Sequence, residues 1–218
     1  MTEKLGLRER KKLRTRETVA GVALRMFLDS GFDNVSVAEI AEAADVSKMT
    51  VFNYFPAKED LVMHHIADHA DEYARVITDR PAKQAPLEAL REHFLAALAA
   101  HDPSTGLSDS EQFLAFTKMV FATPTLLMRV SAQSTNQEAT LTAAFAEALG
   151  TAEDDIVPYL AARQVVATLQ ALGWRNTERM LAGERAADVH ETAAAEADAA
   201  FDLLARGLVH TGLAKRRR

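Results

Sequence analysis

SVAEIAEAADVSKMTVFNYFPAKEDL, residues 36–61, reads as two short helices, a tight turn and the start of a third helix. Ser36 followed by Glu39 is a capping box, in which the serine oxygen accepts from an early helical N–H and the glutamate reaches back to the cap. A helix therefore starts at Val37. Val37, Ile40, Ala41 and Ala44 share one face at three- and four-residue spacing, and the pattern stops at Asp45-Val46-Ser47. Ser47 can cap a second short helix, along which Val46, Val51 and Phe55 point one way and Lys48, Met49, Phe52 and Asn53 face out. An exposed Phe and Met flanked by Lys and Asn suit a surface that meets base edges, thymine methyls and phosphates. The stretch is a helix-turn-helix.

Upstream, Arg8, Arg10, Lys11, Lys12 and Arg14 make residues 1–14 a flexible basic arm running into the first helix. Such an arm is either a phosphate or minor-groove contact or a solvated charged terminus. Val19, Val22, Ala23, Met26 and Phe27 then form a stripe closed by Ser30-Gly31, where glycine supplies the turn out of the helix. The formal net charge of −6 is unevenly spread: residues 1–28 hold eight Lys/Arg against three acids, whereas residues 61–212 hold eleven against twenty-one. Positive charge is concentrated where a nucleic acid would be met, and the acidic body would be repelled from phosphate.

Downstream, the spacing predicts only helices. One long helix is expected from Lys58 to about Asp79, with further helices ending near His101, through Phe113–Phe121 and from Pro124. The Phe113–Phe121 run is apolar all round and is expected to be buried. Thr151–Asp155 carries three acids at a helix start, where they cap and complement the dipole. The last two helices, Ile156 to Leu181 and about Ala186 to Leu208, are more apolar than the body can hide, which predicts a partner surface with Leu204 in mid-face. A symmetric homodimer reading a palindromic site on double-stranded DNA is the economical partner arrangement. The chain is thus expected to be all-α, with a reader domain over 1–57, a helical body over 58–212 and a basic tail over 213–218.

Several classes are excluded. The 218 residues contain no cysteine, which removes disulfides and thiolate chemistry. No apolar run approaches the roughly 20 residues of a membrane span, and no signal-peptide core follows the charged start, so a cytoplasmic protein is expected. His64, His65 and His69 near Asp68 have a spacing that could bind metal, yet no third-ligand motif accompanies them; exposed or half-buried histidines and no metal are expected. With no Gly-rich phosphate loop and no nucleophile motif, neither enzymatic chemistry nor a cofactor is expected.

The run from Val46 to Leu61, VSKMTVFNYFPAKEDL, resembles the TetR family of bacterial transcriptional regulators: a recognition helix ending in aromatic-x-aromatic-Phe, a short turn, a lysine opening the next helix, and Glu-x-Leu. The resemblance implies that Ser36, Thr50, Tyr54 and Lys58 hold phosphates, while Lys48, Met49, Phe52 and Asn53 approach the major groove. Met49 and Asn53 stand where family members often carry a small residue and an aromatic or histidine, respectively. Arg14 and Ser47 complete the candidate DNA-contacting set. The resemblance also implies a homodimer through the last two helices and a body enclosing a small-molecule cavity. Aromatic and methionine side chains can line such a cavity or simply pack a core; the candidates are Phe94, Phe113, Phe116, Met119, Val120, Met128 and Phe145. Gln170 and Trp174 share a face and would border it, unless Trp174 lies in the dimer seam. LAARQVVATLQALGW and FDLLARGL are similar to an actinobacterial branch associated with acyl-CoA-like ligands, whose phosphates Arg163 or Arg175 would meet. The implied function is a ligand-released repressor; an activator, or a DNA-binding protein without small-molecule control, is the alternative.

Overall fold

The computed structural model describes residues 6–67, 71–152 and 154–214. Every regular element among them is helical: α1 (Leu7–Ser30), α2 (Val37–Ala43), α3 (Lys48–Tyr54), α4 (Lys58–Ala67), α5 (Glu72–Asp79), α6 (Pro86–Ala99), a 3-10 turn (Pro103–Thr105), α7 (Glu111–Ala122), α8 (Pro124–Leu149), α9 (Ile156–Leu181) and α10 (Ala186–Gly207). The all-α expectation is met. The single helix expected over Lys58–Asp79 is two helices, α4 and α5, with Asp71 in a turn between them. The arm expected to be flexible is helical from Leu7 onward, where Lys11 and Arg14 carbonyls also accept from the Thr15 and Thr18 hydroxyls. No single described helix is long and apolar enough to cross a membrane.

The chain divides into two compact units. The first comprises residues up to Asp68 together with Ala115–Ser131. Its core takes Val19, Ala20, Ala23 and Phe27 from α1, Ile40 and Ala41 from α2, and Val51 with Phe55 from the α3 end. Leu61 and Val62 of α4 are fully buried in that core, so α4 packs with the helix-turn-helix although the expected boundary fell at residue 57. Val120 of α7 and Leu126 of α8 complete it. Each fully buried Phe, Leu or Ile contributes on the order of 1.5–3 kcal/mol from apolar burial. α3 has only seven residues and buries Val51 alone, so it is held by packing and caps and not by its own helical propensity.

The turn between α2 and α3 is a Schellman ending. The Val46 N–H donates to the Ala41 carbonyl at 2.9 Å and the Asp45 N–H to that of Glu42 at 3.1 Å, which puts Asp45 at φ +53°.

The second unit comprises His69–Leu114 and Ala132 onward. α10 lies against α6, with Phe94 and Phe201 ring centroids 6.3 Å apart and Arg91 bridging Asp198 and Asp202. Val189, Ala193, Ala197, Phe201 and Leu204 are buried in this core, so the stripe expected to form a partner surface is an internal one. The 3-10 turn docks on α9: buried Asn176 donates to the Thr105 carbonyl at 2.9 Å, and Gly106, at φ +73°, leaves so little room that a Cβ would stand 2.2 Å from the Gly173 carbonyl. Leu213 is fully buried and its carbonyl accepts from the Leu87 N–H, so the body runs past residue 212. Lys215–Arg218 lie outside the described residues. In α7 only Thr117 and Val120 are buried, because Ala115, Lys118 and Ala122 face outward; the helix is half-buried and not enclosed.

Candidate nucleic-acid interface

Two caps fix the reader. Ser36 Oγ accepts from the Glu39 N–H at 3.2 Å and the Ser36 N–H donates to Glu39 Oε2 at 2.7 Å, which holds the Glu39 carboxyl below its ordinary value. Ser47 Oγ accepts from the Thr50 N–H at 3.0 Å and shares a 2.8 Å hydrogen bond with the Thr50 hydroxyl. One of those two hydroxyl protons remains to donate outward. With Val51 and Phe55 turned in, Lys48, Met49, Phe52 and Asn53 are all exposed, Met49 by 69% and Phe52 by 39%. The Lys48 ammonium stands 5.9 Å from the Phe52 ring centroid, one turn on, which brings a cation and an aromatic face together on one surface.

Lys58 does not present its charge in this way. Its Nζ donates to the Phe32 carbonyl at 2.5 Å and lies 4.4 Å above the Phe32 ring and 5.6 Å from that of Phe27. The expected phosphate ligand is committed to tying α4 to the loop after α1. Arg16 similarly covers Phe55, at 5.5 Å.

An open cleft of about 660 Å³ separates the start of α1 from α3. Arg8, Glu9, Lys11, Lys12 and Thr15 line one side, and Thr50 and Tyr54 the other. Arg8, Lys11, Lys12 and Thr15 follow a three-four helical rhythm, so they share a face; Arg14, three residues after Lys11, is exposed and does not line the cleft. Of the basic arm, Arg8, Lys11 and Lys12 thus line the cleft and Arg14 stands outside it.

The expected cavity residues fall in both units. Phe94 and Phe145 are fully buried in the second unit's core, with Phe113 partly buried against it. Val120, Phe116 and Met119 pack with the first unit's core. Met128 is 68% exposed, because Leu126, two residues earlier, takes the inward side of α8. Gln170 is exposed and Trp174 is 49% exposed, on the outward side of α9. Arg163 pairs with Glu138 at 2.9 Å, and Arg175 makes a bidentate pair with Glu196, so neither guanidinium is held in reserve for a phosphate. His65 reaches the Ala20 carbonyl at 3.2 Å, and His64 stacks edge-on against Phe55; His69 and Asp68 lie outside the described residues. Among the described residues no group of three acidic or imidazole side chains could hold a metal.

The family model for bacterial regulatory proteins of the tetR family matches residues 21–64. Over 170 residues, 77% of this chain and 74% of the relative, the sequence is 32% identical to the HTH-type transcriptional regulator TcmR of Streptomyces glaucescens. The chain belongs to the TetR family. As such it is a DNA-binding transcriptional regulator and not an enzyme. The fold is similar to that of GusR of Salmonella enterica, with a TM-score of 0.54 at 22% identity over 92% of this chain and 95% of that one. It is also similar to that of Thermus thermophilus FadR in complex with lauroyl-CoA, with a TM-score of 0.50 at 21% identity over 88% and 94%.

Proposed function

We propose that this TetR-family chain works as a homodimeric repressor that sits on a palindromic operator and is released by a small apolar or acyl-type ligand. The observation that carries the dimer is the outward side of the last two helices. Ile156, Tyr159, Leu160 and Trp174 of α9, with Ala167 and Ala171 between them, and Leu203 of α10 are all exposed in the single chain. An α9 that keeps four large apolar side chains out of its own core, with Leu203 exposed on α10, the helix that follows it in sequence, favours a partner, and a second copy is the partner a two-fold operator requires. On such a dimer, each α3 would present Lys48, Met49, Phe52 and Asn53 to one half-site, with Ser36, Thr50 and Tyr54 on phosphate. For the ligand, the structural neighbour that holds lauroyl-CoA supports an apolar, acyl-like molecule. The pairing of Arg163 and Arg175 with carboxylates leaves its phosphates to other residues.

Sequencing the duplexes selected by the pure protein, with its mass measured on and off them, tests this reading. An inverted repeat bound by two chains is expected, released by one member of an acyl-CoA chain-length series. A single unrepeated site bound by one chain would overturn it.

A further inference from the structure

The oxidisable sulfur of this chain is all methionine, because its 218 residues include no cysteine. Exposure divides the methionines of the described residues. Met180 and Met63 are buried, at 1% and 9%, and Met26 and Met119 are half-buried against the first unit's core. Among the described residues only Met49 and Met128 stand open to solvent, almost equally, at 69% and 68%. Met49 is the second residue of α3, three before Phe52 and on the same outward side, so its thioether is within reach of any dissolved oxidant.

We propose that Met49 is an oxidation site that disarms the reader: a peroxide converts its thioether to the sulfoxide in the DNA-free protein, and the oxidised chain is held off the operator. The inference rests on the DNA-binding reading and adds a control to it. In the step, a sulfur lone pair attacks one oxygen of hydrogen peroxide. The S–O bond forms, the O–O bond breaks, and the departing hydroxide takes the proton of the transferred oxygen and leaves as water. Sulfur loses two electrons and the peroxide gains them. A side chain suited to thymine methyls thereby acquires an oxygen that accepts hydrogen bonds and donates none. Against methyl groups that oxygen is unpaired, and beside phosphates it meets other acceptors, so binding weakens. On a bound duplex Met49 is covered, so the operator shields the residue that reads it.

The test treats the protein with hydrogen peroxide, maps the added oxygen by peptide mass spectrometry, and measures binding to the selected operator before and after. Sulfoxide is expected at Met49 and Met128 ahead of the other methionines. Affinity should fall roughly tenfold as Met49 is converted, the scale set by one unpaired polar oxygen in an interface. Methionine sulfoxide reductase with dithiothreitol should restore it. Saturating operator should slow conversion of Met49 relative to Met128. Met49→Leu has no thioether here, so peroxide should leave its affinity at whatever value it had before treatment. Complete conversion of Met49 with affinity unchanged, or an equal loss in Met49→Leu, would overturn the proposal while leaving the regulator intact. So would a loss of helicity that tracks the loss of binding. Failure of the untreated protein to prefer any duplex would take down the DNA-binding reading and this inference with it.

Discussion

Asp45 shows how much a single backbone angle decides. It holds φ +53°, in the left-handed region that favours glycine, and among the described residues its carboxylate accepts no hydrogen bond that offsets the strain. Asp45→Gly should therefore raise the unfolding free energy by up to ~1 kcal/mol in a denaturant titration, and by removing an acid next to α3 it should tighten DNA binding as well. A lower midpoint would mean that the carboxylate stabilises the turn. Lys58 makes the complementary case. A lysine on phosphate could be neutralised without harm to the free protein, but one that donates to Phe32 and covers two rings cannot. Lys58→Met is expected to cost the DNA-free protein roughly 1–3 kcal/mol. A melting temperature equal to the parent's, with DNA binding abolished, would restore the phosphate role.

At the scale of the element, two joints hold the second unit. Glu196 of α10 accepts from Arg175 and Arg179 of α9, and those hydrogen bonds pull its carboxyl down to about 2 from an ordinary 4.5. A folded-state pKa below the unfolded one stabilises fully above pH 4.5 and is lost as pH falls toward 2. With Arg175 largely in water, the joint is worth on the order of 1–2 kcal/mol. Glu196→Gln should thus be less stable than the parent at pH 7, and in acid melts the gap should narrow below about pH 4.5 and close toward pH 2. The other joint is the close approach of Gly106 to Gly173. Gly106→Ala adds a methyl against a carbonyl and strains a positive φ, so a loss of several kcal/mol is expected, read as a drop in thermal midpoint. Local chemistry of this kind was partly legible in the sequence. The caps at Ser36, Ser47 and Asp155 involve residues two or three apart, and Ile156–Leu181 follows from its own periodicity. What the sequence could not supply is helix phase against distant neighbours. Leu203 and Leu204 differ by one residue, and only the packing of α10 on α6 turns the second inward. The same holds for Lys58, whose partner Phe32 lies 26 positions away.

For the whole molecule the phase of α10 becomes a question of assembly. Leu203 is 69% exposed and Leu204 only 7%, so glutamate at the two positions should do different things. Leu203→Glu is expected to give monomers by light scattering with helicity intact, whereas Leu204→Glu should disrupt the subunit itself by burying a charge. A dimer of normal strength in Leu203→Glu would move the interface elsewhere. The lone tryptophan, 49% exposed on the outward side of α9, has a further consequence. With no second indole to confuse the signal, the chain carries its own optical gauge of association: emission should shift to the red on dilution, at the concentration where mass halves. Operator, ligand and partner copy can then be titrated against one another in unlabelled protein, in a single cuvette.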